Sequence, residues 1–201
     1  MNRHSERCLR AAAAGAILLT LTATRTAEAA GPVTPTGDKR GVALLVRMAR
    51  AYRSVPGVKL RFVGLGTAVL VLRSGVVVAE QLTIGAFIYV SLDGKTTYVE
   101  APSKSCWRRS QGLTLETPGT HFPLSLRLTD VQAPHRVAGG WTVKLTSEDA
   151  PGVHDKGEFR ISTPSYLLKS VLATTESGKK LAYQVTNLSV QPKVPTPRPL
   201  C

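Results

Sequence analysis

The sequence predicts an α+β protein, with one N-terminal amphipathic helix followed by a meander of antiparallel strands. Three observations support this. Residues 39–55 repeat apolar side chains at helical spacing. From residue 57 onward, short apolar or alternating runs are separated by turn residues such as Asp93-Gly94, Gly139-Gly140 and Ser177-Gly178. No helical pattern alternates with these runs, which argues against a parallel sheet built from crossover units.

The chain opens with residues that do not read as part of this fold. Arg3, Arg7 and Arg10 precede the uncharged run AAAAGAILLTLTA, and Ala27-Glu28-Ala29 then offers a small-x-small cleavage pattern. A charged start, apolar middle and small-residue exit predict a secretory signal peptide over 1–29. The apolar run falls short of the ~20 residues that span a bilayer, so a retained membrane anchor is the lesser reading. Four arginines and two glutamates lie in 1–29, so their loss lowers the formal charge from +13 to +11. An exported protein this basic has anionic lipid headgroups or acidic wall polymers as natural partners, not nucleic acid. The simpler reading is that charge keeps it soluble.

Residues 30–38 read as a mobile Pro/Gly/Thr leader. The helix follows, with Asp38 as its cap and Pro56-Gly57 as its stop. Val42, Leu45, Ala49 and Tyr52 mark its apolar face, and Lys39, Arg40, Arg47 and Arg50 gather opposite. Such a helix either lies on a membrane surface or, more ordinarily, packs on a sheet with its charges in water.

The strands then come in order. WTVKLTS alternates, placing Trp141, Val143 and Leu145 on one face and Thr142, Lys144 and Thr146 on the other. AVLVL (68–72), VVVA (76–79) and AFIYV (86–90) are apolar on both faces. Both faces of that part of the sheet therefore need cover. A helix on one face and an enclosed cavity on the other would provide it, and so would a dry two-layer sandwich. Residues 121–131 read as a strand or as a lid segment. Residues 192–201 hold four prolines and should run extended over the surface.

Few residues offer chemistry. His121, His135 and His154 show no metal-ligand spacing and read as solvated loop histidines. Glu148, Asp149, Asp155 and Glu158 lack calcium-loop spacing, and no phosphate-binding or nucleophile-elbow motif occurs. Glu80 lies in an apolar strand and is expected to point outward, between Val78 and Leu82. Asn187-Leu188-Ser189 spells a glycosylation sequon, which matters only in a eukaryotic secretory pathway. With Cys8 inside the signal, Cys106 and Cys201 remain, and an even count in an oxidising compartment favours a disulfide. The alternative is a Cys106 thiolate nucleophile beside Arg108 and Arg109.

The segments LLVRMARAYRSVPGV, LRFVGLG, FIYVSLDGKTTYVEAPSKSCWRR and FRISTPSYLLKSV carry a layout that resembles the LolA/LolB-like superfamily of exported lipoprotein and lipid carriers. That grouping includes mycobacterial lipid-transfer lipoproteins and the lipid-sensing regulator RseB. CWRR and the terminal PRPLC resemble a secreted actinobacterial branch. The resemblance implies a curved antiparallel β half-barrel over 39–191, with the N-terminal helix and a helical lid over an apolar cavity, and a tail over 192–201 tied by Cys106–Cys201. It implies no enzyme activity, cofactor or metal. The protein would be a soluble monomer of the periplasm, envelope or exterior that carries a lipid or acylated ligand. The alternative is a sensor of RseB type with an envelope protein partner. The doubly apolar strands offer Leu70, Leu72, Val77, Phe87 and Tyr89 as cavity residues. Arg40, Arg47, Arg50, Arg108 and Arg109 would form a basic surface toward anionic membranes.

Overall fold

A computed structural model describes residues 34–100, 106–111, 113, 115, 117–124, 127–150, 153–198 and 200–201. The expected signal peptide and Cys8 lie outside them. The last part of the leader is tied in place. The Thr36 and Asp38 N–H groups donate to the Leu128 and Val131 carbonyls, and Val131 N–H donates back to Thr36.

Helix α1 spans Lys39–Ala51 and runs into a single 3-10 turn, Tyr52–Ser54. Asp38 caps it: its Oδ1 accepts from the Arg40 and Gly41 N–H groups at 3.0 and 3.1 Å. The buried stripe is Gly41, Leu44, Leu45, Met48 and Tyr52, with Val42 and Ala49 at its margin. A Cβ on Gly41 would strike the Gln132 carbonyl oxygen and the Val131 side chain. Glycine is what lets the helix lie so close to that segment.

Tyr52 fastens the end of the helix to the sheet. Its hydroxyl donates to Asn187 Oδ1 at 2.8 Å and accepts from the Leu168 N–H at 3.1 Å. Asn187 Nδ2 in turn donates to the Leu168 carbonyl at 3.2 Å. The Tyr52 ring meets Phe122 edge-on, centroids 4.8 Å apart. Burial raises the phenol's pKa, so it stays neutral. The sequon asparagine thus spends its amide inside the fold. Tyr52→Phe strands a buried N–H and the asparagine oxygen, and should cost about 1–3 kcal/mol in urea unfolding.

Twelve strands form one antiparallel sheet. The first meander holds β1 (Gly57–Phe62), β2 (Gly66–Arg73), β3 (Val76–Ile84), β4 (Phe87–Ser91), β5 (Thr97–Glu100) and β6 (Trp107–Arg109). The second group holds β7 (Arg127–Thr129), β8 (His135–Val137), β9 (Gly140–Ala150), β10 (Val153–Ser162), β11 (Leu168–Thr174) and β12 (Lys180–Leu188). The order is β6-β5-β4-β3-β2-β1-β12-β11-β10-β9, and the short β7 and β8 share the far side of β9. The pairing of β1 with β12 joins the two meanders, and β6 does not meet the other edge.

This sheet must curve. Laid flat, eleven strands would be about 50 Å wide, against a helix about 20 Å long and 10 Å thick. Yet a single buried cluster takes in Leu44, Leu45, Met48 and Tyr52 of α1 together with inner-face residues from Val99 on β5 to Val143 on β9. The sheet wraps its helix as an open half-barrel. The alternation expected for 141–147 holds: Val143 and Leu145 are buried inward, and Lys144 is exposed. Of the ambiguous 121–131 segment, 127–129 is strand β7 and Phe122 and Leu124 belong to the buried cluster. No described residue between 110 and 124 is helical. No helical lid is seen among the described residues; those of 113–124 form an irregular cover, with a turn at 118–120, whose backbone bonds to the start of β3.

The doubly apolar strands are explained by the tail. Val71, Ala79 and Val90 are buried yet stand outside the inner cluster, on the outer face. Pro192 packs where a Cβ on Gly57 of β1 would lie. Leu200 bridges to Trp107 on β6, and Cys201 N–H donates to the Trp107 carbonyl at 2.8 Å. The Cys106–Cys201 disulfide ties the end. The tail is thus anchored at β1 and at β6 as a strap over the outer face, with a tight bend where the Arg198 N–H donates to the Thr196 carbonyl at 2.7 Å.

Candidate functional site

Beyond the inward pair Leu72 and Val77, three cross-strand rows line the inner face between β1 and β6. Register sets Val58, Leu70, Glu80, Ser91 and Thr97 opposite one another. Two residues along lie Leu60, Ala68, Leu82, Tyr89, Val99 and Arg108. Two further along come Phe62, Gly66, Ile84 and Phe87. Burial relaxes along this direction. Glu80 and Ser91 are 4% and 0% exposed. Ile84 and Phe87, with Leu65 and Leu113, are only half-buried against the core. The third row is thus an apolar lip about 13 Å from the first, four residues along each strand.

The five expected cavity residues all belong to this side. Leu70, Leu72 and Val77 are fully buried beneath the helix and cover, Tyr89 is buried in the middle row, and Phe87 stands at the lip with its ring centroid 6.4 Å from that of Tyr89. Arg108 shares the row of Val99 and works against the burial that raises the Tyr89 phenol. Arg109 and Trp107 turn to the outer side, so CWRR does not present one basic patch. Arg40, Arg47 and Arg50 are exposed on α1, and the Arg47 guanidinium lies 5.8 Å from the Tyr166 ring centroid. His135 and His154 are exposed, while His121 pairs with Val76 in the cover. Among the described residues no group of His, Cys, Asp or Glu could hold a metal. Cys106 is bonded to Cys201 and carries no free thiolate.

Glu80 corrects the sequence reading. It points inward, not outward. The cause is a bulge: Leu72 pairs with Val77 but Val71 pairs with Ala79, leaving Val78 as an extra residue. Simple alternation from the inward Val77 would have put Glu80 outside. The extra residue shifts the pattern, so Val77, Glu80, Leu82 and Ile84 all face in. Glu80 Oε2 is buried without a hydrogen-bond partner, and burial pushes the carboxyl's pKa up to about 8. The sequence signal that could have revealed this is the unbroken apolar run 76–79, one residue too long for clean alternation.

No family model matches the sequence, and no curated protein matches it. Solved structures do. MucB in complex with MucA(peri) has 18% identity and a TM-score of 0.33, covering 76% of this chain and 57% of that one. The Pseudomonas aeruginosa MucA/MucB complex gives 17% and 0.35, covering 76% and 58%. A LolA superfamily protein from Nitrosomonas europaea gives 10% and 0.37, covering 77% and 96%. The chain spans less than two thirds of the MucB chains it resembles. Among the described residues no helix is long and apolar enough to cross a membrane.

Proposed function

We propose that this protein is an exported, non-enzymatic binding protein that takes the apolar part of a lipid or lipidated molecule at the inner face of its half-barrel. The observation that supports the reading most is the graded inner face, sealed at its Glu80 end and half-open at Ile84, Phe87, Leu65 and Leu113. Apolar surface removed from water yields about 25 cal/mol per Å², so an acyl chain needs no covalent chemistry to bind there. The exposed arginines of α1 would bring the protein to anionic membranes, whose surface attracts each such charge by about 1 kcal/mol. One domain over 39–191, monomeric and soluble once residues 1–29 are lost, suffices for this task.

The test is uptake by delipidated protein of labelled palmitate and labelled phosphatidylglycerol, read by native mass spectrometry. A stoichiometric adduct with at least one of them is expected. Phe87→Asp at the lip should reduce uptake roughly tenfold, the effect of 1.4 kcal/mol, while leaving the circular dichroism spectrum unchanged. Absence of any adduct with either lipid counts against the reading.

A further inference from the structure

We infer that Glu80, Ser91 and Thr97 form a polar subsite at the deep end of the inner face, which takes the hydrogen-bond-donating end, an amine or a hydroxyl, of an otherwise apolar ligand. This deepens the proposed function and rests on it. Among the described residues, Glu80 Oε2 and Thr117 Oγ1 are the buried side-chain oxygens that lack a partner. Both belong to one region. Glu80 shares its row with Ser91 and Thr97. Thr117 lies in the cover, which reaches this row where Leu115 N–H donates to Thr97 Oγ1 at 2.7 Å. The cover is held by Gly119 N–H to the Val77 carbonyl at 2.7 Å and Val77 N–H to the Thr120 carbonyl at 2.9 Å. Ser91 Oγ accepts from Gly94 N–H at 3.1 Å. Backbone groups therefore fix both hydroxyl oxygens in place, while the carboxyl is left with open acceptor capacity.

Buried polar groups are nearly always paired, and an orphan calls for a missing partner. Leu70 and Leu82 flank Glu80, and a leucine at position 80 would avoid the cost of an unpaired oxygen. A ligand donor removes that cost, and the apolar lip about 13 Å away would hold the rest of the molecule. The acid's pKa of about 8 keeps it neutral near pH 6.5 in the empty site. A primary ammonium drives it to the carboxylate: the O–H bond breaks, its proton leaves to solvent, and an ammonium–carboxylate pair remains. Lys59, Arg61, Arg73, Tyr98 and Glu100 of these strands alternate to the outer face, so few titratable or charged groups lie on Glu80's side. Tyr52 and Tyr89 are held neutral by burial. Arg108 stands one row away, His121 lies in the cover, and Asp93 is in the turn after β4.

Isothermal titration of the full mature chain at pH 6.5 with dodecylamine, dodecan-1-ol and dodecanoate tests this. The amine and the alcohol should bind at least roughly tenfold tighter than dodecanoate, a gap of 1.4 kcal/mol. Amine binding alone should release a proton, seen by comparing buffers of different ionisation enthalpy. Glu80→Gln should lose both the amine preference and the proton release. Equal binding of all three probes, or no proton release by the unaltered protein, overturns the subsite and leaves only a buried water there. If no probe binds at all, the binding-protein reading itself falls. Proton release is measured on the unaltered chain, so the test stands even if the variant does not fold.

Discussion

Cys201→Ser is expected to release the strap, lower the thermal midpoint by several degrees and open the outer face of β2–β4. The bridge joins residues 95 apart, and a loop of that length gives up to about 4–5 kcal/mol in the chain-entropy description. For a chain of this size each kcal/mol is worth about 2–4 °C. Among the described residues, the strap is also held by the Pro192 contact at Gly57, the burial of Pro197, the Leu200–Trp107 bridge, and an N–H bond from residue 201. Lys193 lies exposed on the strap, so trypsin reports its state. Cleavage after Lys193 should quicken in the variant, with faster hydrogen exchange of the Val71 and Val90 amides and a new apolar dye signal. An unchanged midpoint together with unchanged exchange at Val90 would mean that packing alone holds the tail.

The strap also shows where sequence reading stops. Its extended form was legible from four prolines, and its fastening from two cysteines in a chain expected to be exported. Its path was not. The doubly apolar strands announced that both faces are covered, but composition does not say by what. The answer depended on where the tail is anchored, at Gly57 of β1 and at Trp107 of β6, which needs the strand order. The helix, its Asp38 cap and the alternation of 141–147 were plain, because each rests on local periodicity. The helical lid was not: the described part of 110–124 is held by bonds to the start of β3, a long-range pairing that local propensity does not encode. Asn187 read as a possible surface acceptor because nothing local links it to Tyr52, 135 positions away. Glu80 was misplaced for the smallest reason, one bulged residue at Val78. That residue decides whether the candidate site contains a carboxyl.

That carboxyl should also govern how stability varies with pH. In the folded protein Glu80 keeps its proton up to about pH 8, whereas the unfolded chain releases it near 4.5. Below 4.5 both states hold the proton, and its contribution to stability is complete. Between 4.5 and 8 unfolding releases a proton, so stability falls as pH rises. Above 8 both states are ionised and the loss levels off. Each unit is worth about 1.4 kcal/mol, which sets an upper figure of about 5 kcal/mol across the window. Asp93 has the opposite sign, since the Thr96 and Lys95 N–H groups outweigh its partial burial and lower its pKa. Its contribution is lost only as pH drops below the ordinary carboxylate range, so the two effects separate. Urea unfolding at pH 5 and pH 8.5 should therefore show the protein markedly more stable at the lower pH. Glu80→Gln should flatten that difference, and Glu80→Leu should in addition raise stability at pH 8.5, because nothing in the fold requires the charge. A pH profile identical in the unaltered protein and both variants would show that the carboxyl ionises freely, with water at its side, and that the end of the inner face is open.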